Sequence, residues 1–390
     1  MGESENATPS VDTVHDESLS LMGRRRFVET LVGVGFSSGM ANALSADDFE
    51  DADDDEVPIV YGFVRSDPDD PTSIDARTKT VSAKWYDEIK AAFGAHRRLE
   101  LELDGTFVSS VVPGSFGGGD TNLLVEVSHE DLVDRVPDVA EQVPIVVDVI
   151  ESLRDALGHD NPGSASLAPG ARPSDVGVEI AAGVACSDGN SNATLSAPLY
   201  DANDGTRYFV TSNHLYGGDG REKQGKPCYV TPDDGDQVEI GTVEYGYERE
   251  DFVLIRPNDG YVPAAEIQGA TPSTVTGGFT RWGLADLKAR GSQLEKIGAT
   301  TGHTSGPIKM IDAATCAYGT VCQTGQLAWG SEDIFSDGDS GSVAYHPDPE
   351  NPDDGVLIAG LNNARTWWPG ANYVWGTAAH VIADRFEYFF

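Results

Sequence analysis

The sequence predicts a mainly β protein with a small α/β domain in front of it. From about residue 174, short β-branched or aromatic runs (TRYFVTS, QVEIGTVEYGY, DFVLIRP, GSVAYHP, GVLIAGL) recur between Gly, Asp and Asn turns, the pattern of a sandwich or of barrels. Amphipathic helical spacing is scarce in that stretch until the last dozen residues. Ahead of it, residues 57–157 carry apolar runs at 58–64, 99–103, 122–127 and 143–150, read as strands. Between the first two runs, Trp85, Ile89, Ala92 and Phe93 stand at i, i+4, i+7 and i+8, read as a helix.

Taken in order, residues 1–46 read as a signal region. Arg24, Arg25, Arg26 and Phe27 open a modest apolar stretch that ends at Ala41-Asn42-Ala43, a candidate cleavage site. This is similar to a twin-arginine export signal. The stretch is too short and too rich in Gly and Ser to span a membrane, so the expected product is extracellular or held at the cell surface, not membrane-spanning after signal removal. Either Met1 or Met22 can be the start. Residues 47–56 (DDFEDADDDE), eight of them acidic, read as a solvated linker. Residues 57–157 are expected to form the small domain. Residues 158–173 (GHDNPGSASLAPGARP) have the Gly, Pro and Ser density of a linker, and 174–390 form the β domain.

Composition narrows the function. There are 64 acidic against 26 basic residues, a formal net charge of -38. Such a field repels phosphate backbones and excludes nucleic acid as a partner. With 39% hydrophobic residues the chain is not disordered. Its acidic, Lys-poor balance is the surface pattern of proteins that work in molar salt, where screening is strong. The four cysteines, Cys186, Cys228, Cys316 and Cys322, allow three connectivities in an oxidising exterior. Cys316–Cys322 and Cys186–Cys228 are the expected pairs. Their spacing does not suggest zinc.

Three short motifs carry the chemistry. Acyl transfer by a serine needs a base beside the hydroxyl, a carboxylate to hold the base's tautomer, and donors aimed at the oxyanion. FVTSNH (209–214) is an apolar strand ending in His214. EDFVLI (250–255) places Asp251 at the head of another. SDGDSGS (336–342) puts Ser340 in a tight turn of small residues. The order His, Asp, Ser resembles the chymotrypsin-like serine peptidases, and KIGATTGHTSG (296–306) is similar to a segment of their bacterial and archaeal members. The resemblance covers about 174–390. It departs at Ser342, where many members have Gly, and at Asn213, where animal members have Ala.

The resemblance implies two antiparallel β-barrels meeting at a cleft, with His214 and Asp251 from the first and Ser340 from the second. It implies a serine endopeptidase acting on polypeptide through an acyl-enzyme, with Gly338 and Ser340 N–H groups as the oxyanion hole and no metal or organic cofactor. A substrate strand is expected to pair near Leu361 and Asn362. In digestive relatives a new apolar N-terminus pairs with the Asp before the serine, here Asp339. RPSDVGVEIAAG lacks such a start at Val176 or Val178, so no N-terminal ion pair is expected. The alternative function is a catalytically weak module on the same scaffold, acting as a surface binding protein.

Other templates fail. An α/β-hydrolase needs its His after the serine in a G-x-S-x-G elbow; the one match, GFSSG at 35–39, lies inside the signal. Subtilisin-like order puts Asp before His, and no H-E-x-x-H is present. His303 is a candidate cleft residue. DPENPDDG (348–355) reads as a solvated loop rather than a calcium loop, and Trp367 and Trp368 as packing residues.

The charge implies a salt requirement. Lowering salt from 1 M to 0.1 M lengthens the screening distance from about 3 Å to about 10 Å, so the melting temperature should fall with it. A melting temperature independent of salt refutes the high-salt reading.

Overall fold

A computed structural model describes residues 56–67, 70, 73–102, 108–116, 119–127, 130–149, 171–174, 177–217, 220–231, 236–315, 323–365 and 373–390. The signal region, residues 47–55 of the acidic linker, most of 158–173, Cys316, Cys322, Trp367 and Trp368 lie outside the described residues.

The fold is mainly β, as expected, and its strands form two rings. In the second ring, Gln293–Gly298 pairs with Gly302–Thr315, which pairs with Gln323–Trp329. Gln323–Trp329 pairs with Val374–Ala378, and that strand with Val356–Arg365. Val356–Arg365 pairs with Val343–Pro347, which returns to Gln293–Gly298. All six pairings are antiparallel and the circuit is closed. The first ring runs Asn192–Thr194, Ala185–Ser187, Pro227–Val230, Val238–Tyr247, Phe252–Pro257, Arg207–Ser212, again antiparallel throughout. Its ends meet where Ser196 N–H donates to Val210 O (2.8 Å) and Thr211 Oγ1 to Thr194 O (2.8 Å). Closure leaves few free strand edges.

Alternation along the strands explains the apolar runs in the sequence. Val253 and Ile255 point into the first ring, whereas Phe252 and Leu254 point into the core between the rings. Phe209 likewise faces inward, and Tyr208 and Val210 outward to that shared core. A strand buried on both faces reads as a continuous apolar run. Ile297, Val343, Ile358 and Leu361 of the second ring complete the inter-ring layer.

The N-terminal segment differs from expectation. The sequence places it in a domain of its own, whereas its strands share a sheet and a core with the second ring. Strand Glu56–Arg65 pairs with Val275–Phe279, which lies parallel to Val356–Arg365. Val108–Val112 pairs with Gly302–Thr315 and carries Asn122–Val127 and Val143–Val149 beyond it. The helix Ala83–Glu102 bridges these attachments. Its face of Trp85, Tyr86, Ile89 and Phe93 joins one core with Trp282, Ile308, Ile311 and Trp329. Tyr86 stacks on Trp282 at 4.6 Å, and Phe93 meets it edge-on at 5.6 Å. The run 99–103, read as a strand, is the end of this helix through Glu102.

Polar contacts cross the same boundary. Lys79 reaches Asp286 at 3.1 Å, and His96 Nδ1 stands 4.0 Å from Asp312. Asp348, in the loop 348–355, accepts from Tyr61 Oη (2.7 Å) and from the N–H groups of Glu350 and Asn351. This loop is therefore pinned by a buried carboxylate rather than wholly solvated.

Residues 57–157 and 174–390 should melt as one cooperative unit in calorimetry. Trp282→Ala should destabilise it by about 3–5 kcal/mol, the ordinary cost of deleting a buried aromatic. Two separate transitions refute the shared core.

Candidate active site

The strand Arg207–Ser212 runs into a short 3-10 turn, Asn213–Tyr216, that turns His214 outward while Asn213, Leu215 and Tyr216 stay buried. The neighbouring strand Phe252–Pro257 pairs with it, Ser212 opposite Phe252, and this register places Asp251 beside His214. Asp251 is 4% exposed and sits at φ +53°, a left-handed conformation that Asp tolerates better than most residues. Its carboxylate grips the histidine twice. Oδ1 accepts from the His214 N–H (2.8 Å) and Oδ2 faces Nδ1 (2.7 Å). A carboxylate oxygen can only accept, so Nδ1 carries the proton and Nε2 keeps its lone pair in the neutral ring. Burial pushes the imidazole down, but the hydrogen bond and charge of Asp251 push it up further, with Asp337 adding to the rise. It therefore stands above the ordinary histidine value.

Ser340 sits in a turn that packs against Ser212, at the end of the strand leading to His214. Gly338 (φ +93°) and Gly341 (φ +91°) make a turn that residues with a Cβ resist. A Cβ on Gly341 would stand 2.3 Å from both Thr194 O and Thr211 Oγ1, so the turn packs tightly against the first ring. Thr194 N–H also donates to Ser340 O (2.8 Å). The N–H groups of Asp339, Gly341 and Ser342 are taken by Ser336 O, Asn362 O and Asp339 O. Those of Gly338 and Ser340 meet no acceptor among the described residues. The Ser340 hydroxyl donates to Asn363 O (3.0 Å) and shares no hydrogen bond with His214.

The turn is held from beneath by an ion pair that the sequence reading missed. Asp339 is fully buried and its carboxylate accepts from Lys296 Nζ (3.2 Å), Thr301 Oγ1 (2.6 Å), Ser336 N (3.0 Å), Thr300 N (2.9 Å) and Thr301 N (3.1 Å). Lys296 is equally buried; burial pushes its ammonium down and Asp339 opposes that. The motif KIGATTG contained both the lysine and the threonines, and a buried cation there was the available signal. Val176 lies outside the described residues, and Val178 N–H is already bonded to Gly260 O (2.8 Å).

Cys186 and Cys228, expected as a disulfide, are both free thiols buried in the first ring, where they act as small apolar groups; Cys186 Sγ donates to Thr211 Oγ1 (3.5 Å) and burial pushes its thiol up. His303 pairs across its hairpin with Glu295 (2.6 Å). Leu361 and Asn362 cannot receive a substrate strand, since Leu361 pairs with Val343 on one side and Thr377 on the other. Ala364 and Arg365 pair only with Trp375 and Val374 among the described residues, so the open edge begins at Asn363. Ser342, the departure from the family turn, is satisfied by Asn362 Nδ2 (3.1 Å), whose Oδ1 accepts from Trp329 Nε1 (3.0 Å).

No known family model and no curated protein matches this chain. Among solved structures it is similar to a glutamic-acid-specific serine protease at 18% identity, covering 54% of this chain and 99% of that one, TM-score 0.39. It is also similar to Nocardiopsis protease at 16%, covering 54% and 97%, TM-score 0.39. Thermobifida fusca protease A follows at 17%, covering 54% and 97%, TM-score 0.38.

Lys296→Met strands the Asp339 carboxylate without its cation. It should cost about 3–5 kcal/mol, as breaking one partner from a buried pair does, measured by denaturant unfolding. An unchanged midpoint means that the pair does not hold the turn.

Proposed function

We propose that this chain is a serine endopeptidase that hydrolyses peptide bonds through His214, Asp251 and Ser340. The observation that carries the reading is the doubly gripped His214, two residues past Ser212, against which the Ser340 turn packs; the Gly338 and Ser340 N–H groups of that turn meet no acceptor among the described residues. Asp251 holds the imidazole with Nε2 free to accept a proton. In the reaction the Ser340 hydroxyl leaves Asn363 O and gives its proton to that lone pair. Attack on a scissile carbonyl then passes the Ser340 proton to His214, and the oxyanion takes donors from Gly338 and Ser340. The protonated His214 returns the proton to the leaving amine, and water repeats the cycle on the acyl-enzyme. An extended polypeptide adds at the strand edge from Asn363 to Arg365. Asp339 already has its cation in Lys296, so activity needs no newly cut N-terminus.

The enzyme is read as exported, on the strength of the Arg24–Arg26 segment. Among the described residues no helix is long and apolar enough to cross a membrane.

One observation favours a second reading, a weakly catalytic binding module: Ser340 Oγ is bonded to Asn363 O and not to the base. A fluorophosphonate probe separates the two. Labelling that is lost in Ser340→Ala means an activated nucleophile; no labelling of the folded protein favours the binding module.

Ser340→Ala and His214→Ala should each lower kcat by about 10⁴-fold or more while the protein still folds. Asp251→Asn should cost about 10⁴-fold through the wrong tautomer. The base must be neutral, and its value lies above ordinary histidine. Activity should therefore fall, as pH drops, with a midpoint above about 6.5. Wild-type turnover in either alanine variant, or a rate flat to pH 4, refutes the assignment.

A further inference from the structure

Two lysines are fully buried among the described residues, Lys223 and Lys296. Asp339 accounts for Lys296. Lys223 closes the short 3-10 turn Gly220–Lys223, and its Nζ donates to the carbonyl of Asn213 (3.3 Å), the residue immediately before His214. The Asn213 N–H donates in turn to Asp251 O (3.1 Å). Asn213 is 3% exposed, and it is where the sequence departs from the Ala of animal members. The lysine stem and Asn213 both lie against Gly246. A Cβ there would stand 3.1 Å from Lys223 Cδ and 2.4 Å from Asn213 Oδ1. Gly246, Asn213 and Lys223 are thus fitted to one another, so the lysine is built in rather than folded back by chance.

We propose that Lys223 is a positioning residue for the base, clamping the Asn213–His214 peptide against Asp251 and holding a positive charge behind the imidazole. This rests on His214 acting as the base. An ammonium loses several kcal/mol of hydration on burial. Here it is set where a second proton on His214 would face a like charge. The groups acting on His214 are then Asp251 and Asp337, which favour its protonated form, and burial and Lys223, which oppose it. Asp251 dominates the acids, so the base stands above the ordinary value, and Lys223 limits how far. The two weaker charges also differ in screening. Asp337 is 68% exposed and its influence fades in molar salt, whereas that of Lys223 persists.

The test uses the full chain with Lys223→Met, Lys223→Arg and Asp337→Asn. Two readouts are taken: the pH profile of kcat/KM on an ester substrate, and the NMR titration of His214 in the Ser340→Ala background. Lys223→Met should move the acid limb and the His214 titration upward by about half a pH unit or more, within the ordinary range of environmental shifts. Lys223→Arg should restore both, and Asp337→Asn should move both downward at low salt only. A merely structural lysine would change the melting temperature and leave the titration where it was, which overturns the proposal. So does a Lys223→Arg protein that titrates like Lys223→Met. Should Lys223→Met not fold, the Lys223 ¹³Cε resonance of the unmutated protein should shift as His214 titrates; a resonance blind to that titration overturns the proposal. If the chain hydrolyses nothing while the His214 titration moves as expected, the peptidase reading fails and the coupling stands.

Discussion

The turn that carries Ser340 depends on the buried pair of Lys296 and Asp339. A carboxylate taken out of water needs its lone pairs filled, and Asp339 receives five donors from three places: the strand Gln293–Gly298, the Thr300–Thr301 turn after it, and Ser336. Each donor fixes a piece of chain relative to Asp339, and Ser340 is its neighbour. Such a pair adds little net stability compared with an apolar replacement. Its consequence is conformational: only one arrangement of these segments satisfies both charges. Because the cation is a side chain of the same ring, that arrangement comes with folding itself.

In the proposed reaction the two rings divide the chemistry between them: His214 and Asp251 stand at the ends of paired neighbouring strands of the first, and Ser340 in a turn of the second. What brings them together is the layer of Phe252, Leu254, Tyr208 and Val210 against Val343, Ile358 and Leu361. Asp251 heads the strand whose alternate residues fill that layer, so the residue that orients His214 is anchored by the inter-ring packing. Thr377 adds a polar tie across the junction, its Oγ1 donating to the carbonyl of Glu250 (2.7 Å), the residue before Asp251. A shift of the rings would therefore disturb His214 and Ser340 together.

Local features were legible in the sequence and distant pairings were not. FVTSNH and DFVLI could be read because a doubly buried strand leaves an apolar run with a polar residue at its end. The turn at Ser340 could be read because positive φ demands glycine at 338 and 341. The N-terminal segment was read as separate because nothing local in the strand 56–65 reveals that Gly62 will pair with Phe279, more than two hundred residues on. LELEL alternates like a strand, yet continuation of the helix from Trp85 overrides it. Cys186 and Cys228 are near in space, as suspected, but the ring interior accepts them as thiols. Neither buried lysine was read as functional, since lysine is ordinarily a surface residue and its burial depends on contacts that no short motif encodes.

The placement of those two lysines bears on how a chain of net charge -38 could run the proposed acid–base chemistry. An acidic surface raises the protonation of any histidine it can reach, and that influence rises and falls with salt. Charges inside the protein are screened much less. Asp251 at 4% exposure and the buried Lys223 and Lys296 therefore act on the site at short range and in any salt. The exposed carboxylates act at long range and only in dilute solution. With the deciding charges buried in counterposed positions around His214 and beneath Ser340, the surface can carry its acidic excess without setting the ionisation of the base.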